Sequence, residues 1–133
     1  MRVSKLMLVL FILTSFYFLV AKDYLEFQNS YRDINAQKAK RIMTIYPSLT
    51  VIDISGTYNM GHIPGSVNYF IGDGSFDDAL TELDKNGRYL IYYHSDNTSR
   101  VAARKLADAG FKKVYRLEGN YNSWVGAGFE IES

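Results

Sequence analysis

The chain has 133 residues, 47% of them hydrophobic and 22% charged, the make-up of one globular domain with a modest core. Setting Arg2 and Lys5 aside from the 15 basic residues leaves 13 against 14 acidic ones, a net −1 that offers no electrostatic basis for binding nucleic acid. There is no cysteine, which excludes disulfides, thiolate metal sites and a lipid-modified cysteine in this chain.

Arg2 and Lys5 precede an uncharged, mostly apolar run from Leu6 to Val20. Residues 1–21 therefore read as a secretory signal peptide or an uncleaved membrane anchor. At ~1.5 Å per residue the run spans roughly 23 Å, short of a ~30 Å hydrocarbon core, which favours the signal peptide. Leu19, three residues before a cut after Ala21, is bulkier than cleavage sites prefer, which favours the anchor. Either way the basic flank stays inside and the domain is expected outside the cytoplasm, in a periplasm or at the cell surface. Residues 22–32 read as a polar juxtamembrane linker and 33–133 as the domain.

Along the domain, Ala39, Ile42, Met43 and Tyr46 fall at i, i+3, i+4 and i+7, one apolar face of a helix that starts near Asp33 or Asn35 and stops at Pro47. Leu49–Ile54 is a short, almost wholly apolar run, as in a strand buried on both faces. Ser75 and Asp78 make an S-x-x-D capping pattern for a helix through Leu83, and Asn86-Gly87 turns the chain into a strand at Tyr89–Tyr93. The next helix is expected from about Thr98 to Ala109, with Ala102, Leu106 and Ala109 inward and Gly110 ending it. Val114–Leu117 is a further strand, and Asn120 a cap for a last short helix carrying Trp124. Strands alternating with helices predict an α/β domain of three layers, a central, mostly parallel sheet with helices on both faces.

Four stretches carry a family resemblance across roughly residues 30–133. They are Val51-Ile52-Asp53-Ile54, then Gly61-His62-Ile63-Pro64-Gly65-Ser66, then the loop Tyr93-His94-Ser95-Asp96-Asn97-Thr98-Ser99-Arg100 with its helix up to Phe111, and finally Leu117-Glu118-Gly119 with Trp124. In this order and spacing they resemble the rhodanese family of sulfurtransferases. The resemblance implies a loop beyond a strand's carboxyl end, where α/β sheets collect ligands, with a cysteine that carries sulfur as a persulfide. Counting back from Phe111, Ser99 matches the family's loop-closing serine and Tyr93 falls on the cysteine. A phenol has no sulfur to transfer and a pKa near ~10 against ~8.5 for a thiol. Thr98 stands where an anion-binding arginine is frequent, Asp96 replaces a glycine, and Ser55 replaces an arginine after the first strand. Asp96 is expected to repel anions from the loop's N–H groups.

Residues 93–100 are the candidate ligand-binding loop, with no catalytic residue, cofactor or metal assigned. The Tyr93 ring is expected to fill the former pocket, its hydroxyl bonded to nearby backbone. The resemblance gives Asp53 and His62 structural roles near the site, and two histidines without ligand spacing make no metal signature. The predicted function is a binding or regulatory module for an unknown protein or small ligand, with the membrane as a further partner if the N-terminal segment is retained. One alternative shifts the alignment by a residue, setting His94 as nucleophile and Arg100 as clamp of a phosphatase-like or other transferase. Another makes the chain an assembly or stability subunit of a membrane complex.

Overall fold

The computed structural model describes residues 4–28 and 30–133, with side chains omitted from 22 to 28. Arg2, part of the expected targeting flank, lies outside the described residues. A first helix, α1, runs Lys5–Gln28 and so passes through much of the stretch read as a linker. Its apolar side chains from Leu6 to Val20 are exposed on every side rather than packed on the domain. Among the described residues no helix is long and apolar enough to cross a membrane.

Thereafter strands and helices alternate, except at one crossover. Strands β1 (Arg32–Ile34), β2 (Thr50–Asp53), β3 (Val67–Asn68), β4 (Arg88–Tyr92) and β5 (Lys113–Leu117) form one sheet in the order β1-β5-β4-β2-β3, every pair parallel. Helices α2 (Ala36–Ile45), α3 (Ser75–Glu82) and α4 (Asp96–Asp108) connect β1 to β2, β3 to β4 and β4 to β5, and α5 (Asn120–Gly126) follows β5. The exception is that β2 passes to β3 through a 3-10 turn at Tyr58–Met60. Because side chains alternate along a strand, Val51 and Leu90 point to a core with Ala39, Ile42 and Trp124, while Ile52 and Ile91 point to a second core with Phe76, Leu106 and Phe111. This is the three-layer α/β architecture expected.

Several local expectations are corrected. Asp33 does not start a helix: it lies in β1, and Asn35 is the cap of α2, its Oδ1 accepting from Lys38 N at 2.8 Å. The Ser75/Asp78 pattern does not cap α3, whose N-cap is Gly74 at φ 87°. Asp73 takes the role instead, its Oδ1 accepting from Ser75 N at 2.9 Å. Helix α4 begins at Asp96, two residues before the expected Thr98, so Asn97, Thr98, Ser99 and Arg100 are helical. Asn120 does not cap α5 either: Gly119 occupies the cap position and Asn120 sits at φ 56°, its amide turned back toward β4. The Asn86-Gly87 turn forms as expected, closed by Gly87 N donating to Asp84 O.

Candidate functional site

The sheet's carboxyl-terminal edge brings the ends of β2, β4 and β5 together. Only Tyr93, His94 and Ser95 separate β4 from α4, so the expected eight-residue loop is a three-residue connection followed by the first turn of a helix. Tyr93 is held by its backbone. Its N–H donates to Asn120 Oδ1 at 3.0 Å and its carbonyl accepts from Tyr121 N at 3.0 Å. Its half-buried ring packs on the core containing Phe76 and Phe111, edge-on to His94 at 5.5 Å. The hydrogen bond expected of the Tyr93 hydroxyl is absent among the described residues; its main chain alone is bonded.

His94 is exposed and its Nε2 lies 3.0 Å from Thr57 Oγ1, with the Tyr121 ring edge-on at 5.4 Å. Ser95 Oγ donates to Thr98 Oγ1 at 3.2 Å and accepts from no helix N–H, and Asn97 is exposed. Ser99 is buried, its hydroxyl donating to Asp96 O at 3.2 Å. Arg100 is exposed on the first turn of α4, and no hydrogen bond or ion pair among the described residues joins it to His94.

Asp96 does not stand at the rim as an unpaired repellent charge. Its Oδ1 accepts from Arg116 Nη1 and from Asn120 Nδ2, both at 2.7 Å. Arg116, on β5, is fully buried, and its Nε donates to Asp33 Oδ1 at 2.6 Å while Nη1 also donates to Ser99 Oγ at 3.1 Å. One cation therefore clasps carboxylates from β1 and from the first turn of α4. Its Nη2 is buried and has no hydrogen-bond partner among the described residues. Burial alone would lower the guanidinium pKa, but the bonds and charges of Asp33 and Asp96 outweigh it and hold the value above normal. The Arg116 hydrogen bond in turn holds the Asp96 carboxyl below the ordinary range, against the effect of burial.

The sequence reading passed over Arg116 and gave Asp33 and Asn120 only helix-starting roles. The available signal was an arginine inside the apolar run Val114–Leu117, since a charge in a strand buried on both faces needs a partner.

Beneath the loop, Asp53 is fully buried at the end of β2. Its Oδ1 accepts from Ser55 N at 2.7 Å, and its Oδ2 has no hydrogen-bond partner among the described residues. Tyr92, also fully buried, accepts from Ile63 N at 3.0 Å through its hydroxyl. Burial first, and then the neighbouring Asp53 carboxylate, push the Tyr92 phenol well above its usual pKa, so it stays protonated. His62 donates from Nδ1 to Tyr58 O at 2.9 Å and stacks on the Tyr58 ring at 3.7 Å. Its Nε2 lies 3.6 Å from Glu132, whose backbone pairs with that of His62. His62 and Asp53 thus hold turns, and no metal-binding cluster occurs among the described residues.

Residues 35–127 match the rhodanese-like domain family, and the chain belongs to it. It is 30% identical over 100 residues to the putative sulfur carrier protein YrkF of Bacillus subtilis, covering 74% of this chain but 53% of that protein, so it spans about half of that relative. It is 29% identical over 98 residues to the thiosulfate sulfurtransferase GlpE of Ectopseudomonas mendocina, covering 72% of this chain and 86% of that one. Among solved structures, the Alr3790 protein of Anabaena sp. superposes with a TM-score of 0.68 at 30% identity over 75% of this chain and 81% of its own. Within this family of sulfur-handling proteins the present chain is a member without any cysteine.

Proposed function

We propose that the domain is a non-catalytic binding or regulatory module, acting outside the cytoplasm and tethered through α1 when that helix is retained. The observation that carries the reading is Tyr93. Where the resemblance calls for a cysteine, the chain presents a phenol whose ring is packed on the core and whose main chain is pinned by Asn120 and Tyr121. Methionine thioethers cannot form a persulfide, so no atom of the chain can carry the transferred sulfur. The exposed apolar length of α1 supports the tether, because a helix apolar on all sides needs a non-aqueous surrounding. It equally supports a place in a membrane complex. The ligand is an unidentified protein or small molecule that meets the His94–Ser95 connection.

Sulfur transfer from thiosulfate to cyanide tests the first part. Purified protein should show none above the uncatalysed rate, and turnover that persists after contaminating sulfurtransferases are removed would refute the reading. For the second part, a reporter fused after Ser133 should be active outside the cytoplasmic membrane, and the mass of the mature chain tells whether residues 1–21 remain.

A further inference from the structure

The edge of the sheet opposite the candidate site has a charge pattern of its own. The segments leading into β4 and β5, residues 84–88 and 108–113, carry Lys85, Arg88, Lys112 and Lys113 against Asp84 and Asp108. No ion pair among the described residues engages any of these four cations. At the other edge, residues 93–100 and 118–120 carry Asp96 and Glu118 against a single cation, Arg100.

The basic edge also has a shaped recess. Arg88 and Lys113 are direct partners across the β4–β5 ladder, an arrangement of like charges that is unfavourable unless something negative lies over it. They line a cleft of ≈ 480 Å³ together with Tyr46, Ser48, Thr50, Asn86 and one acidic residue, Asp84. Arg88 is fixed there, stacked 3.7 Å over the Tyr46 ring and donating from Nη1 to Tyr115 Oη at 2.7 Å. A held guanidinium, a half-buried ammonium and two hydroxyls suit a phosphate group.

Topology decides what this edge faces. All five strands are parallel, so the amino-terminal ends of β1, β4 and β5 share one edge. Three residues, hence four Cα–Cα steps, separate the end of α1 at Gln28 from Arg32 at the start of β1, a reach of at most roughly 14 Å. Residues 21–28 add about 12 Å of helix beyond the apolar run, so a domain hung from a membrane by α1 has its chain entry on this edge, within roughly 26 Å of the bilayer. The site edge lies roughly 17 Å farther along a five-residue strand, beyond the ~8 Å screening length.

We infer that the edge formed by Lys85, Arg88, Lys112 and Lys113 is a docking surface for anionic phospholipid, its cleft taking a headgroup phosphate, so that the Tyr93–Arg100 segment is turned away from the membrane. The inference rests on the tether reading and adds orientation and lipid class to it.

The absence of cysteine lets single labels be placed at will. Full-length Asn86→Cys and Asn97→Cys proteins, each carrying a fluorophore, are mixed with vesicles of phosphatidylcholine, with or without phosphatidylglycerol, that contain a headgroup quencher. Flotation with both vesicle types reports the tether. Strong quenching at position 86 only with phosphatidylglycerol, and little at position 97, is the expected result. Lys112→Gln with Lys113→Gln should lower the docked-to-free ratio by on the order of twentyfold, given about fivefold per basic residue, with an unchanged melting temperature. High salt should do the same, and inorganic phosphate at the lipid-phosphate concentration should not compete. Equal quenching at both positions, quenching indifferent to phosphatidylglycerol, or full competition by free phosphate overturns the docking surface while flotation leaves the tether standing. Failure to float with either vesicle removes the tether and the docking surface together.

Discussion

Replacing Asp96 by alanine probes the clasp that joins β1, β5 and α4. The carboxylate accepts two charge-assisted hydrogen bonds at 2.7 Å, from Arg116 and Asn120, each typically contributing ~1.5–3 kcal/mol. Its side chain is 41% exposed, so solvent screening brings each bond below that range, to about 1 kcal/mol, and Arg116 keeps Ser99 and Asp33 as partners. The expected loss is about 2 kcal/mol, below the ~3–5 kcal/mol of a buried ion left alone. For about 100 cooperatively folding residues that lowers the melting temperature by roughly 10 °C. The sign with pH follows from the depressed Asp96 pKa: the stabilisation is full above the unfolded value of ~3.9 and is lost as pH falls through the lower folded value. Thermal melts of the parent and Asp96→Ala from pH 7 downward should show a gap that is constant to about pH 4 and then closes. Adding Asp33→Ala, which leaves Arg116 with no carboxylate, should cost more than the two single losses combined. A drop under about 1 °C at pH 7, or a gap that persists unchanged in acid, would refute the clasp.

Tyr92→Phe keeps the ring but strands the Ile63 N–H in the core, and should cost about 2 kcal/mol in urea unfolding, whereas Tyr93→Phe, with no hydroxyl bond to lose, should stay within about 0.5 kcal/mol. Tyr93→Cys alone should leave thiosulfate to cyanide transfer near background, because Asn120 and Tyr121 still hold the main chain and Thr98 supplies no cation. Robust turnover would show that the connection retains a working anion cradle. Gly61→Ala should destabilise by about 2 kcal/mol or more, since at φ 153° a Cβ would fall 2.4 Å from the Tyr121 hydroxyl, and relief by Tyr121→Phe would confirm the clash.

The sequence by itself determined the α/β class, the order of the main helices and strands, and the identity of the family, because each rests on local signals. The apolar run Leu49–Ile54, the helical spacing Ala39–Ile42–Met43–Tyr46 and the four motif stretches are all short-range patterns in the chain. The absence of cysteine was equally plain. Tertiary structure alone decided the shape of the site. β1 is three residues long and β3 two, too short for any periodicity, and both exist only because a neighbouring strand offers its ladder. The start of α4 at Asp96 depends on that side chain being held by Arg116 and Asn120, which are 20 and 24 residues away. Asp33 reaches the same guanidinium from 83 residues away. A charge read one residue at a time was a repellent at the loop's rim; the parallel pairing of β1, β5 and β4 brings its counter-ion beneath it, and although an arginine in an apolar strand signals that a partner is needed, local sequence does not say which carboxylates supply it.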